Sequence, residues 1–213
     1  MDFLPKEMEA YSERFTTQEP SVLYELNRYT HTKVLQPRML AGHLQGRLIS
    51  MLSHMIKPKR VLEIGAYTGY SSICWAEGLA ENGRIDTIEK NDELETAILN
   101  FHKKANFADQ IKLHIGTALE IIPKLEGEFD VVFIDADKEN YINYFHSVID
   151  RVSPGGYIIA DNVLWSGKVT MPENEMDLDT KTLYDYAKLI QEDERLENIL
   201  LPIRDGLLIA RMK

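Results

Sequence analysis

From residue 60 onward, short apolar runs alternate with segments of helical periodicity, and this alternation restricts the fold more than anything else in the chain. The runs 60–64, 84–88, 111–115, 129–134 and 157–160 are rich in Val, Ile, Leu and Phe. Between them lie 71–79, 93–104, 119–125 and 141–151, with apolar residues three and four apart. Strands separated by helices are joined by right-handed crossovers, which predicts a parallel sheet covered on both faces. Two last runs, 199–203 and 207–212, flank Asp205-Gly206, a hairpin signal, and predict an antiparallel finish at a sheet edge. Upstream, the first sixty residues read as helices. Glu19-Pro20-Ser21 opens one carrying Val22, Leu23, Leu26 and Tyr29, and 39–56 is a longer one with Leu44, Leu48, Ile49, Leu52, Met55 and Ile56, ended by Lys57-Pro58. No linker interrupts the chain. The expectation is one α/β domain over 1–213, with N-terminal helices over 1–57 and a Rossmann-like, doubly wound core over 58–213.

The 213 residues carry a formal net charge of −10 and one cysteine. This acidic balance argues against nucleic-acid binding through a broad basic surface. Residues 171–198 hold nine acids and three bases, a net of −6, and read as a solvated loop and helix face. No apolar run approaches the ~18 residues of a membrane span. Residues 1–15 mix acids with Lys6 and Arg14 and lack the pattern of a secretory leader. Cys74 alone cannot form an intramolecular disulfide, which fits a cytoplasmic location. It reads as an inert buried thiol.

Chemistry enters at Val61-Leu62-Glu63-Ile64-Gly65-Ala66-Tyr67-Thr68-Gly69-Tyr70-Ser71, a strand, a glycine turn and a helix start. A dinucleotide fingerprint would be G-x-G-x-x-G, its middle glycine making room for pyrophosphate. Tyr67 stands there instead, and Glu63 would repel phosphates and attract an ammonium group, which disfavours a nicotinamide dehydrogenase. Glu89, 24 residues after Gly65, ends the next strand where a carboxylate can grip ribose hydroxyls. A ligand with an adenosine ribose, an ammonium and no phosphate is S-adenosylmethionine (SAM). The bland alternative is an ordinary βα turn with incidental acids.

A second constellation follows the fourth and fifth strands, as Asp135-Ala136-Asp137-Lys138 and Asp161-Asn162. Ligands of a doubly wound sheet sit beyond the carboxyl ends of its strands. Asp135, Asp161 and Asn162 offer hard oxygen donors suited to Mg²⁺. Asp137 and Asp161 could instead be helix caps. Lys138 could be their salt-bridge partner or, partly desolvated, a general base.

The segments 62–71, 135–141 (Asp-Ala-Asp-Lys-Glu-Asn-Tyr) and 161–165 (Asp-Asn-Val-Leu-Trp) resemble three motifs of the cation-dependent class I O-methyltransferases, the caffeoyl-CoA and catechol O-methyltransferase family. The resemblance runs from Met39 to Asp205-Gly206. It implies a seven-stranded sheet of order 3-2-1-4-5-7-6 with only the seventh strand antiparallel, and a homodimer. It also implies SAM contacts at Glu63, Gly65, Ala66, Ser71, Glu89, Ala118 and Asp137, metal ligands Asp135, Asp161 and Asn162, and Lys138 as base. The implied acceptor is a hydroxyl of a catechol-like small molecule. Some bacterial relatives act on hydroxylated uridine in tRNA, which a patch of Arg28, Lys33, Arg38 and Arg47 could guide. A catalytically silent SAM-binding protein is a rival from another class. Ala41, Thr117 and Ser166 depart from the threonine, proline and asparagine common in plant members, which leaves the implied SAM chemistry intact and weighs against the plant-type acyl-CoA substrate.

Other residues read more plainly. The six histidines show no metal spacing. Trp165 and Ser166 are candidates for the substrate pocket, with packing as the alternative for Trp165. Tyr141 and Tyr144 read as helix-face packing.

Overall fold

A computed structural model describes residues 5–213; the first four residues of the expected helical segment lie outside it. Two compact units appear, Glu7–Thr117 and Ala118–Lys213.

In the first unit, helices α1 (Lys6–Arg14), α2 (Ser21–Lys33) and α3 (Gly42–Ile56) precede β1 (Arg60–Ile64), α4 (Tyr70–Ala76), β2 (Arg84–Glu89), α5 (Glu95–Lys104) and β3 (Ile111–Ile115). Helix α2 starts at the expected proline, Leu23 donating its N–H to the Pro20 carbonyl. Helix α3 begins later than the sequence predicts because Pro37–Met39 forms a separate 3-10 turn, and it ends at Lys57 in a left-handed conformation (φ 52°) just before Pro58. Strand β1 pairs with β2, and β2 with β3, all parallel.

The buried face of α3 is Gln45, Gly46, Ile49, Ser50 and Ser53, rotated from the expected Leu/Met stripe. Small residues allow close approach to α4, which is buried along its whole length. The seam is polar. Ser53 Oγ donates to the Trp75 carbonyl at 2.6 Å, and Arg47 grips Glu77 with both terminal nitrogens at 2.9 and 3.0 Å. Arg47 is thereby withdrawn from the expected surface patch. Cys74 is fully buried, and burial pushes its thiol pKa well up, as an inert role requires.

In the second unit, α6 (Ala118–Ile121), β4 (Phe129–Ile134), α7 (Tyr141–Val148), β5 (Val152–Asp161), α8 (Leu178–Glu192), β6 (Leu196–Leu201) and β7 (Leu207–Met212) follow in order. Strand β5 is longer than expected, because Ser153-Pro154-Gly155-Gly156 bulges against β4 instead of forming a free turn. The acidic stretch forms α8, capped by Asp177 accepting from Thr180 N, with Leu183, Tyr186 and Ile190 inward. Strand β6 lies about three residues earlier than predicted, because antiparallel pairing from Leu196↔Met212 to Leu201↔Leu207 leaves 202–206 as the turn. Strand β7 also runs antiparallel to β5. The strands form one sheet in the order β3-β2-β1-β4-β5-β7-β6. Among the described residues no helix is long and apolar enough to cross a membrane.

Candidate active site

At the end of β1, Glu63 is fully buried opposite Thr87 of β2, whose hydroxyl donates to Glu63 Oε2 at 2.5 Å. The chain then turns. Gly65 N and Ala66 N both donate to the Ile88 carbonyl at 3.0 Å, and Tyr67 adopts a left-handed φ of 50°. Tyr67 N donates to Glu89 Oε2 at 2.7 Å, while Asn91 N donates to Glu89 Oε1 at 2.9 Å. Two amides thus fix the orientation of the Glu89 carboxylate, each oxygen keeping acceptor capacity for a further donor. The Tyr67 hydroxyl shares its one hydrogen between the carbonyls of Leu35 and Gln36, tying the turn to the segment after α2. Burial, with the Glu89 charge behind it, raises the Tyr67 pKa.

Gly69 closes the turn at φ 86°, and a Cβ there would lie 2.9 Å from His102 Nε2. That ring is 1% exposed, shares a 2.9 Å hydrogen bond with Ser72 Oγ, and has its pKa lowered to about 4 by burial. Ser71 and Ala66 are buried in the turn and the start of α4. A buried carboxylate, a second carboxylate oriented by amides and a non-phosphate glycine turn suit a nucleoside that carries an ammonium group and no phosphate.

In the second unit, the β4/β5 register pairs Ile134 with Ala160, so Asp135 and Asp161 emerge at equivalent positions of neighbouring parallel strands. Lys138, only 8% exposed, donates Nζ–H to the Tyr141 hydroxyl at 2.7 Å and lies 3.3 Å from Asp135 Oδ1. The Tyr141 hydroxyl in turn donates to the Asp161 main-chain carbonyl at 2.9 Å. Tyr141 is fully buried, and burial followed by the charges of Asp135 and Asp161 holds its pKa well above the ordinary phenol value. Tyr141 packs on the helix face as expected, edge-on to Tyr186, and its hydroxyl adds the bond to Lys138, which its spacing three after that lysine at a helix start could have signalled.

Asp161 is 3% exposed, and its Oδ1 accepts from Asn162 N at 2.8 Å. Asn162 stands in the left-handed region at φ 60°. The Trp165 ring centre lies 5.8 Å from Lys138 Nζ, so Trp165 borders the lysine. Ser166 is exposed. Asp137 does not cap the following turn with its side chain. Its Oδ1 accepts from the Tyr144 hydroxyl at 2.7 Å, and Asn140 Nδ2 donates to its other oxygen. Ala118 is buried at the start of α6.

Asp135, Asp161 and Asn162 would offer two carboxylates and one amide, a residue chemistry that suits an oxygen-preferring divalent cation. No group of three or more His, Cys, Asp or Glu able to hold a metal occurs among the described residues. A set completed by an amide is not such a group.

A sheet of this order, with its glycine turn after β1 and acidic residues after β4 and β5, defines a Rossmann-like methyltransferase. The chain belongs to the O-methyltransferase family, whose model matches residues 12–213, and it is a SAM-dependent O-methyltransferase of the caffeoyl-CoA O-methyltransferase type. It is 34% identical over 204 residues to caffeoyl-CoA O-methyltransferase 5 of Nicotiana tabacum, covering 91% of this chain and 85% of that relative. The SAH-bound methyltransferase PaMTH1 of Podospora anserina is similar at 31% identity and a TM-score of 0.90, covering 100% of this chain and 99% of that one. The O-methyltransferase TomG of Streptomyces achromogenes, solved in complex with SAM, is similar at 27% identity and a TM-score of 0.88, with coverage of 97% and 96%.

Proposed function

We propose that this protein transfers the methyl group of SAM to a hydroxyl of a catechol-like small molecule, and that the transfer depends on a divalent cation such as Mg²⁺. The observation that carries the reading is a largely buried lysine 3.3 Å from Asp135, on the strand end paired with the one leading to Asp161 and Asn162. Asp135, Asp161 and Asn162 would hold the cation. When bound, it supplies Lewis acidity that lowers the pKa of a neighbouring hydroxyl and helps align it. SAM supplies a methyl group on a sulfonium sulfur, so the O–CH3 bond forms as the S–CH3 bond breaks.

The protein's own residues do the rest. Lys138 accepts the hydroxyl proton at Nζ and passes it to solvent, while Tyr141 and Asp135 keep that nitrogen in place. Trp165 walls the acceptor side and excludes water, and Ser166 lies at its rim. Glu63, Gly65, Ala66, Ser71 and Glu89 would bind SAM, together with Ala118 and Asp137, as the family resemblance implies. The amides fixing Glu89 support its role toward ribose hydroxyls. A homodimer belongs to the same proposal, supported by Met51 and Met55, which α3 leaves 60% and 73% exposed. Light scattering tests it.

The function is tested by labelled-methyl transfer from SAM to a catechol panel, with and without EDTA. Transfer that EDTA abolishes and Mg²⁺ restores is expected. Transfer that survives chelation rejects the cation, and transfer only to undermodified tRNA rejects the small-molecule acceptor.

A further inference from the structure

The segment after β5 is strained beyond what a loop needs. Asn162, Trp165 and Ser166 all have left-handed backbones, at φ 60°, 46° and 55°. For a bulky aromatic residue that conformation is an outlier. Such strain persists only where surrounding structure over-determines it.

The surrounding structure here is the β6–β7 turn. Val163 N donates to the Gly206 carbonyl at 3.3 Å, and Leu164 N donates to the Asp205 carbonyl at 2.9 Å. Ser166 N donates to the Asp205 carboxylate, at Oδ1, 2.5 Å away. The approach is close, since a Cβ on Gly206 (φ 90°) would lie 2.5 Å from Leu164 Cγ and 2.9 Å from its N. Asp205 therefore holds the segment twice, once through the main chain and once through a side chain that can be changed alone. The residues it holds adjoin Asn162 at one end and Trp165 at the other.

We propose that Asp205 is a positioning residue: its carboxylate locks 162–166 in the left-handed backbone that sets Asn162 toward the cation and Trp165 against Lys138. This rests on the cation reading above for its consequence, and on the loop geometry for its cause. The β6–β7 hairpin thereby acts as a brace for the acceptor side of the enzyme, and Asp205 acts through the segment it holds.

The test compares Asp205→Ala with Asp205→Asn, whose amide oxygen still accepts from Ser166 N. Mn²⁺ affinity is read by calorimetry, acceptor KM and kcat by methyl transfer, and the exposure of Trp165 by acrylamide quenching. Trp75, the other tryptophan, is fully buried, so the quencher reports on Trp165. Asp205→Ala should weaken Mn²⁺ binding by about ten- to a hundredfold, the usual loss when a group orienting a metal ligand is removed. It should also raise the acceptor KM and increase quenching, with SAM affinity unchanged. Asp205→Asn should restore all three toward wild type. Should Asp205→Ala not fold, Asp205→Ser, too short to reach Ser166 N, takes its place. Unchanged quenching and Mn²⁺ affinity, or an Asn variant as impaired as Ala, would overturn the proposal. If the wild-type protein itself binds no Mn²⁺, the cation reading fails, and the quenching comparison alone decides whether Asp205 holds the loop.

Discussion

Lys138 donates from Nζ to the buried hydroxyl of Tyr141 at 2.7 Å, and that hydroxyl passes its own hydrogen to the Asp161 carbonyl at 2.9 Å. Because a phenol has one hydrogen to give, donating it to Asp161 leaves only its lone pairs for the lysine. The polarity of the chain Lys138–Tyr141–Asp161 is therefore set, and it links the carboxyl ends of β4 and β5 through one buried oxygen.

Tyr141→Phe keeps the ring and removes that oxygen. Steady-state rates should show kcat lowered by roughly ten- to a hundredfold through loss of lysine alignment, with the KM for SAM little changed. Urea unfolding should show a loss of about 1–3 kcal/mol from the unpaired groups left behind. Unchanged kcat would reduce Tyr141 to packing.

SAM binding and catalysis should separate by residue. Glu89→Ala should weaken SAM by about ten- to a hundredfold, equivalent to charge-assisted hydrogen bonds worth about 1.5–3 kcal/mol. Asp135→Ala should leave SAM affinity near wild type and abolish turnover. Calorimetry with SAM and rates for both variants check this, and full Mg²⁺-dependent activity in Asp135→Ala would place the metal site elsewhere.

His102 makes stability depend on pH. Its folded pKa of about 4 lies below the ordinary value of 6.5. Between these values the unfolded chain binds a proton that the folded protein does not. Its contribution is therefore complete above pH 6.5 and declines as pH falls toward 4, by up to about 3 kcal/mol. Urea midpoints at pH 7 and pH 4.5 should differ less for His102→Gln than for wild type. An equal difference in both proteins removes His102 from the account.

The pair Arg47–Glu77 joins α3 to α4 with side chains only 14% and 15% exposed. Arg47→Ala and Glu77→Ala should each cost about 1.5–3 kcal/mol. The double variant should cost clearly less than their sum, because the two groups form one interaction. Additive losses in chemical denaturation would show that they act independently.

The strands were legible because their cues are local. Arg60–Ile64, Ile111–Ile115, Phe129–Ile134 and Leu207–Met212 have the expected bounds, since runs of apolar residues closed by glycine or acidic punctuation mark strands without reference to the rest of the chain. Helix α3 was legible in extent but not in orientation. Periodicity finds an apolar stripe, whereas the buried face was chosen by how closely α4 approaches, and close approach favours Gly46, Ser50 and Ser53 over leucine.

Residue types alone determined that carboxylates stand at the carboxyl ends of β1, β2, β4 and β5, that the turn after β1 does not suit a pyrophosphate, and that Lys138 stands among acids. Only the tertiary structure decided what holds them. Tyr141 reaches Asp161 across 20 residues, and Asp205 reaches Ser166 across 39. Hydrogen bonds of that span exist only after β5 has paired with β4 and β7 has folded back on β5. Their partners are set by strand register, which no local pattern encodes.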